Sequence, residues 1–335
     1  MSVPTPTPAA ARVVGLRVAG LRAVALGVVA AHLAAALALA AAVLAGHAAA
    51  LALVGTAYLL GLRHALDADH IAVIDSATRR LTTRGLPAGA MGLWFSLGHS
   101  TVVLVATVAG WAGLRWLAAG AAQSAVDALA RVGTVSAAVV LSALAVVNGV
   151  TWWRQLRSAA PVRPGPSGVL TPLLRRLTAR GSRASGLFPV GLMMGLGLDT
   201  ASSVTLLVLA AGAEASAWSA LAAPLAFAAG MSLLDTFDGV LMSQAYGFAA
   251  HGSPAARRRY NLTVTGVCVS AASVIGALLW AGLAADTWPG AAALGRLGAV
   301  DTTAVGVGLV LVLALAWGVA LARGRRRPDR RGPQV

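Results

Sequence analysis

Fifteen residues from Gly61 to Asp75 read Gly-Leu-Arg-His-Ala-Leu-Asp-Ala-Asp-His-Ile-Ala-Val-Ile-Asp within an otherwise apolar stretch. Two imidazoles, His64 and His70, stand beside the carboxylates of Asp67 and Asp69. On a continuous helix with His64 at about 0°, Asp67 falls at about 300° and His70 at about 240°, so one face presents His, Asp and His. Asp69 falls at about 140°, on another side, where it meets a different helix or fixes a ring. Three further polar strings interrupt apolar sequence: Gly98-His99-Ser100-Thr101, Leu196-Gly197-Leu198-Asp199-Thr200, and Gly230 through Asp238. In the last, Asp235 and Asp238 are at i and i+3 and share a face. His99 and Asp199 complete a ring with the others if the four stretches adjoin.

These donors suit a borderline divalent ion. Imidazole favours nickel, zinc, copper and iron, while carboxylates favour harder ions. The single cysteine, Cys268, excludes multi-thiolate sites. Ni²⁺ and Co²⁺ fit, with Zn²⁺ and Mn²⁺ left open. The bland alternatives are an Arg63–Asp67 ion pair without metal, a packing role for His99, and helix adhesion or a proton path for Asp199, Asp235 and Asp238. His32, His47 and His251 read as structural.

The elements that must position these groups lie in lipid. Of 335 residues, 58% are hydrophobic and 11% charged, with mean hydropathy +0.78. A soluble domain carries about 25% charged residues. The chain therefore reads as an all-α polytopic membrane protein. Strands are not expected, because period-2 alternation is absent. Eight transmembrane helices are predicted, at 21–46, 51–75, 88–113, 129–153, 187–212, 218–245, 261–284 and 302–322. The first is too long for a signal-peptide core and reads as a retained span.

All 26 basic residues are Arg, and 22 fall in alternate segments: around 12–22, 79–84, 154–183, 257–259 and 323–331. An excess of Arg marks cytoplasmic loops, so both termini are expected to be cytoplasmic. This distribution accounts for the net charge of +15 and leaves no case for nucleic acid. The organisation expected is an N-terminal four-span half, 1–153, with the His/Asp motif; a basic cytoplasmic linker, 154–186; a C-terminal four-span half, 187–322; and a basic tail, 323–335. Gly61 to Asp67 echoes Gly195 to Asp199, and Gly98-His99 echoes Gly230 to Asp235. Inverted three-helix repeats would produce that echo.

Together these strings resemble the nickel/cobalt transporter family of secondary permeases. The family's His-x4-Asp-His motif, within Arg-His-Ala-x-Asp-Ala-Asp-His-Ile, stands here as Arg63 through Ile71. Its Gly-His-Ser-Thr-Val-Val string is Gly98 through Val103, and its Gly-Met-x-x-x-Asp-Thr-x-Asp string is Gly230 through Asp238. Its Leu-Gly-x-Asp-Thr-Ala-x-Glu string appears as Leu196 through Ser203, with Ser203 where the family usually has Glu. That change removes one negative charge near the path.

The resemblance implies a main recognition site of His64, Asp67, Asp69 and His70, assisted by His99, Asp199, Asp235 and Asp238. Arg63, Ser100, Thr101, Thr200, Ser203 and Thr236 flank these ligands in supporting places. It implies an importer of Ni²⁺ and/or Co²⁺ in the bacterial cytoplasmic (inner) membrane. The partners are then the ion and the lipid bilayer, and the ion is substrate rather than prosthetic group. An exporter of the same ions is the nearest alternative. An intramembrane metalloenzyme is weaker, because the only Glu, Glu214, lies outside the motifs. With no Lys there is no nucleotide-binding Gly-x4-Gly-Lys string, so no ATPase is encoded in this chain.

Overall fold

The computed structural model describes residues 8–82, 85–113, 121–157, 184–196, 217–250, 254–298, 300, 306–308, 311–312, 315 and 318. All regular structure among them is helical. The helices are α1 (Pro8–Leu44), α2 (Ala50–Ala65), α3 (Ala68–Thr82), α4 (Met91–Gly113), α5 (Ala121–Arg157), α6 (Phe188–Met194), α7 (Ala217–Ala250), α8 (Pro254–Thr287) and α9 (Gly295–Gly298). Two 3-10 turns, Ala184–Leu187 and Pro289–Leu294, precede α6 and α9. Ala and Leu favour helix, and lipid forces backbone groups to bond within each segment.

Five stretches are long and apolar enough to cross a bilayer: Gly20–Leu44, Met91–Ala109, Arg131–Arg157, Ala220–Gln244 and Leu262–Thr287. They correspond to the expected first, third, fourth, sixth and seventh spans. The fifth is described only in its first part, Ala184–Met194. Most of the eighth lies outside the described residues, as do nearly all of the linker and the whole C-terminal tail.

The second span departs from expectation. It is not one helix over 51–75 but α2 and α3, joined through Leu66 and Asp67. The Leu66 N–H donates to Arg63 O and the Asp67 N–H to His64 O, both at 3.0 Å. These i→i−3 bonds tighten the chain for one turn. Ile71 N–H then reaches Asp67 O at 3.4 Å and α3 begins. The helical-wheel placement of His64, Asp67 and His70 on one continuous face is therefore corrected.

Small residues let backbones meet. A Cβ on Gly61 of α2 would fall on the Phe227 carbonyl of α7, and one on Gly230 would fall on the Tyr58 carbonyl of α2. The same reciprocity joins α4 and α6: Gly98 abuts the Phe188 carbonyl, and Gly191 abuts the Phe95 carbonyl. Gly92 of α4 abuts the Asp235 carbonyl of α7. Such contacts substitute for hydrophobic driving force, which lipid does not supply.

Elsewhere α8 lies along α5. Trp152 Nε1 donates to Leu262 O at 2.8 Å and Trp280 Nε1 to Ser142 Oγ at 3.1 Å, so the two helices run antiparallel. Asn148, a mid-span polar residue, donates to Ser76 Oγ of α3 at 3.1 Å. One buried cluster gathers α3, α4, α5 and α8 around Ile74, Phe95, Leu141 and Ile275. A second gathers α1, α2 and α7 around Ala57, Ala226, Phe227 and Met231. The α2–α3 joint lies between them.

Candidate metal centre

Three imidazoles converge at that joint. His64 closes α2, His70 opens α3, and His99 projects from α4. All three are buried, and each offers one nitrogen within 4.8 Å of the others'. Ring centroids are 4.7 Å apart for His64–His70, 4.9 Å for His64–His99 and 4.8 Å for His70–His99. On a straight helix, residues six apart are separated by about 9 Å of rise. The tightened turn at Leu66–Asp67 is what lets His64 and His70 meet.

The spacing matches coordination chemistry. His64 Nε2 lies 3.0 Å from His99 Nε2. Two adjacent nitrogens on one ion, each at about 2.1 Å, stand about 3.0 Å apart when the angle between them is 90°. The far side of the His64 ring is held, because Nδ1 is 2.9 Å from Asp67 Oδ2. A carboxylate there keeps the proton on Nδ1 and turns the Nε2 lone pair toward its neighbour. His70 Nδ1 faces Asp235 Oδ1 of α7 at 3.5 Å. Asp69 takes a different part: its Oδ1 accepts from the His70 backbone N–H at 2.9 Å, in the first turn of α3. Acidic groups favour that end of a helix.

Two aromatic walls were not singled out from sequence. The Phe227 ring is 5.6 Å from His64, and Phe95 is 4.8 Å from His70 and 6.1 Å from His99. Among apolar spans a phenylalanine gives no distinguishing signal. These rings leave the imidazoles in an apolar box with carboxylates at its edge.

The carboxylates of α7 are the least satisfied groups in the site. Both oxygens of Asp238 are buried without a hydrogen-bond partner among the described residues, and Asp235 has the 3.5 Å ion pairing with His70 Nδ1 but no hydrogen bond of ordinary geometry. Buried polar groups without partners are costly and call for an explanation, and a cation between helices supplies one.

The supporting residues divide. Ser100 and Thr236 are buried near the cluster's ligands in sequence, and neither hydroxyl has a hydrogen-bond partner among the described residues. Thr101 is exposed and donates to Leu97 O of its own helix at 2.7 Å. Arg63 is exposed, while Asp67 reaches back to His64. Asp199, Thr200 and Ser203 lie outside the described residues. His32 bonds Val28 O at 2.9 Å and Tyr58 Oη at 3.2 Å, consistent with its structural reading.

The family described as high-affinity nickel-transport protein, NicO, matches residues 50–323. The nickel transporter NicT of Mycobacterium tuberculosis is 38% identical over 297 residues, covering 82% of this chain and 79% of the relative. A high-affinity nickel transport protein of Cupriavidus necator is 37% identical over 260 residues, covering 72% of each. The cobalt transport protein NhlF of Rhodococcus rhodochrous is 37% identical over 306 residues, covering 84% of this chain and 86% of the relative. No solved structure matches. These relatives are transporters rather than enzymes. With four motifs in order, a polytopic helical architecture and a family match across most of its length, the chain belongs to the NicO family of high-affinity nickel-transport proteins.

Proposed function

We propose that the protein imports Ni²⁺ and/or Co²⁺ across the bacterial cytoplasmic membrane as a secondary transporter. The observation that carries this reading is the meeting of His64, His70 and His99 from three helices, with their ligand nitrogens within 4.8 Å. The ion sheds water and takes those nitrogens. Asp67 orients His64, and Asp235 and Asp238 balance the charge from α7. Asp69 fixes the start of α3, and Asp199 of the fifth span completes the ligand set. Alternating access then releases the ion inward.

Import needs no nucleotide. A dication gains about 4.6 kcal/mol per 100 mV of inside-negative potential, twice the single-charge value. That corresponds to more than about a thousandfold accumulation at equilibrium. Deprotonated ligands are required, so metal binding also releases protons and is compatible with proton coupling.

The architecture proposed is eight spans in two halves with both termini cytoplasmic. Inverted three-helix repeats exchange the second span for the fifth and the third for the sixth. The glycine contacts support that symmetry. The second and sixth spans pair through Gly61 and Gly230, and their repeat mates, the fifth and third, pair through Gly191 and Gly98.

Uptake of radioactive nickel by cells expressing native protein or His64→Ala tests the proposal. Accumulation above vector controls, lost in the variant, is expected. Accumulation below controls would favour export. Equal uptake by the variant would overturn the site.

A further inference from the structure

Helix hydroxyls in this chain fall into two kinds. Thr101, Thr151 and Ser273 each donate to the carbonyl four residues back, at 2.7–2.8 Å, as hydroxyls in apolar helices ordinarily do. Thr265 takes a bond from Arg79, and Ser76 takes one from Asn148. Asp75 is likewise partnered, accepting from Cys268 Sγ of α8 at 2.8 Å. Thr78, Ser100, Thr107 and Thr236 differ: each hydroxyl is buried without a hydrogen-bond partner among the described residues. Thr78 and Thr107 are 0% exposed. All four stand on α3, α4 and α7, the helices that carry His70, His99 and Asp235. An unbonded hydroxyl at such depth is costly. Ser100 and Thr236 adjoin residues of the metal centre. Thr78 and Thr107 do not, and nothing in that centre uses them.

Their positions are ordered along one axis. Asp235 faces His70, and a Cβ on Gly239 would lie 3.6 Å from Ile74, so α3 and α7 run parallel here. Helix α4 runs against them. Its Gly92 abuts the Asp235 carbonyl, whereas its His99 reaches His64, whose ring lies beside Phe227, earlier on α7. Thr78 is therefore about 12 Å from His70 toward the end of α3 that bears Arg79 and Arg80. Thr107 is about 12 Å from His99 in the opposite direction. Thr78 follows by one helical turn Ile74, which meets Gly239 of α7. Thr107 follows by one turn Val103, which packs in the cluster that joins α2 and α7 around Phe227.

We propose that Thr107 and Thr78 line the ion's path on the two sides of the imidazoles, each lending its hydroxyl oxygen to a partly hydrated divalent cation on its way to or from them. A neutral oxygen suits that part. It replaces or bonds one water of the passing ion, and it holds the ion too weakly to trap it. It also leaves the choice of a borderline ion to the nitrogens. The path rests on the reading of the chain as a transporter and extends it by about 12 Å to either side of the histidines.

Nickel transport at saturating Ni²⁺ is measured in cells per folded protein, beside equilibrium Ni²⁺ binding to the purified full-length chain. Thr107→Val and Thr78→Val keep the shape and remove the oxygen. Each is expected to lower the saturating rate about 10-fold, the worth of one hydrogen bond to a charged group, while binding stays within about twofold of native. Thr107→Ser and Thr78→Ser keep the native rate. Thr151→Val on α5 also matches native. A valine variant at either position that transports at the native rate overturns the path, and a raised melting temperature would then mark the hydroxyl as a buried misfit. A loss that serine shares overturns it too, as does binding that weakens as much as the rate, which would put the hydroxyl on the imidazole site itself. A native chain that moves no nickel in either direction overturns the transport reading, and the path with it.

Discussion

Asp67→Asn isolates the work of one carboxylate. Asp67 Oδ2 lies 2.9 Å from His64 Nδ1, and His64 Nε2 points at His99 Nε2 from 3.0 Å. Asparagine keeps the shape and one acceptor oxygen but discards the charge that orients the ring and raises its basicity. Removing such an outer partner weakens metal binding about 10- to 100-fold, or about 1.4–2.8 kcal/mol. In initial-rate uptake of radioactive Ni²⁺ at matched expression, KM should rise by that factor while the saturating rate changes less. A KM within about twofold of native would refute the orienting role, since no partner effect of that class is so small. Loss of uptake at every concentration would make Asp67 a ligand in its own right.

Three further outcomes follow from the geometry. Gly61→Ala drives a methyl into the Phe227 carbonyl and should cost about 1–3 kcal/mol, read as a lower melting temperature in detergent; Gly55→Ala on the same helix meets nothing within 4 Å and should leave melting unchanged. Thr101→Val removes only a bond to its own helix, so uptake should match native, and a loss would place that hydroxyl in the path. Acidifying the side from which the ion enters should raise KM, because protonated imidazole cannot ligate and a proton competes for each nitrogen; a KM that falls on acidification would contradict histidine ligation.

Five spans are legible in the sequence because long apolar runs leave helix as the only economical conformation in lipid. The break in the second span was not read. Leu66 favours helix and neither Gly nor Pro marks the joint, yet one signal was present. Asp67 stands immediately before α3 and Asp69 in its first turn, where short acidic side chains favour a helix start. Histidines and aspartates announced themselves by their cost in a membrane. Phe95 and Phe227 did not, since an aromatic ring in an apolar span looks like any packing residue. The Asp75–Cys268 bond joins residues 193 apart, and only the packing of α8 against α3 reveals it.

The backbone-to-backbone glycine crossings have a mechanical consequence. At these glycines α2 with α7 and α4 with α6 meet backbone to backbone, so each pair is stiffened into a lever. His64 rides on the first and His99 on the second. Gly92 against Asp235 is where the levers bear on each other, about 10 Å along α4 from His99. In the alternating access proposed for the chain, rocking about that fulcrum would part the two imidazoles, so tilting the levers and loosening the grip on the cargo would become a single motion.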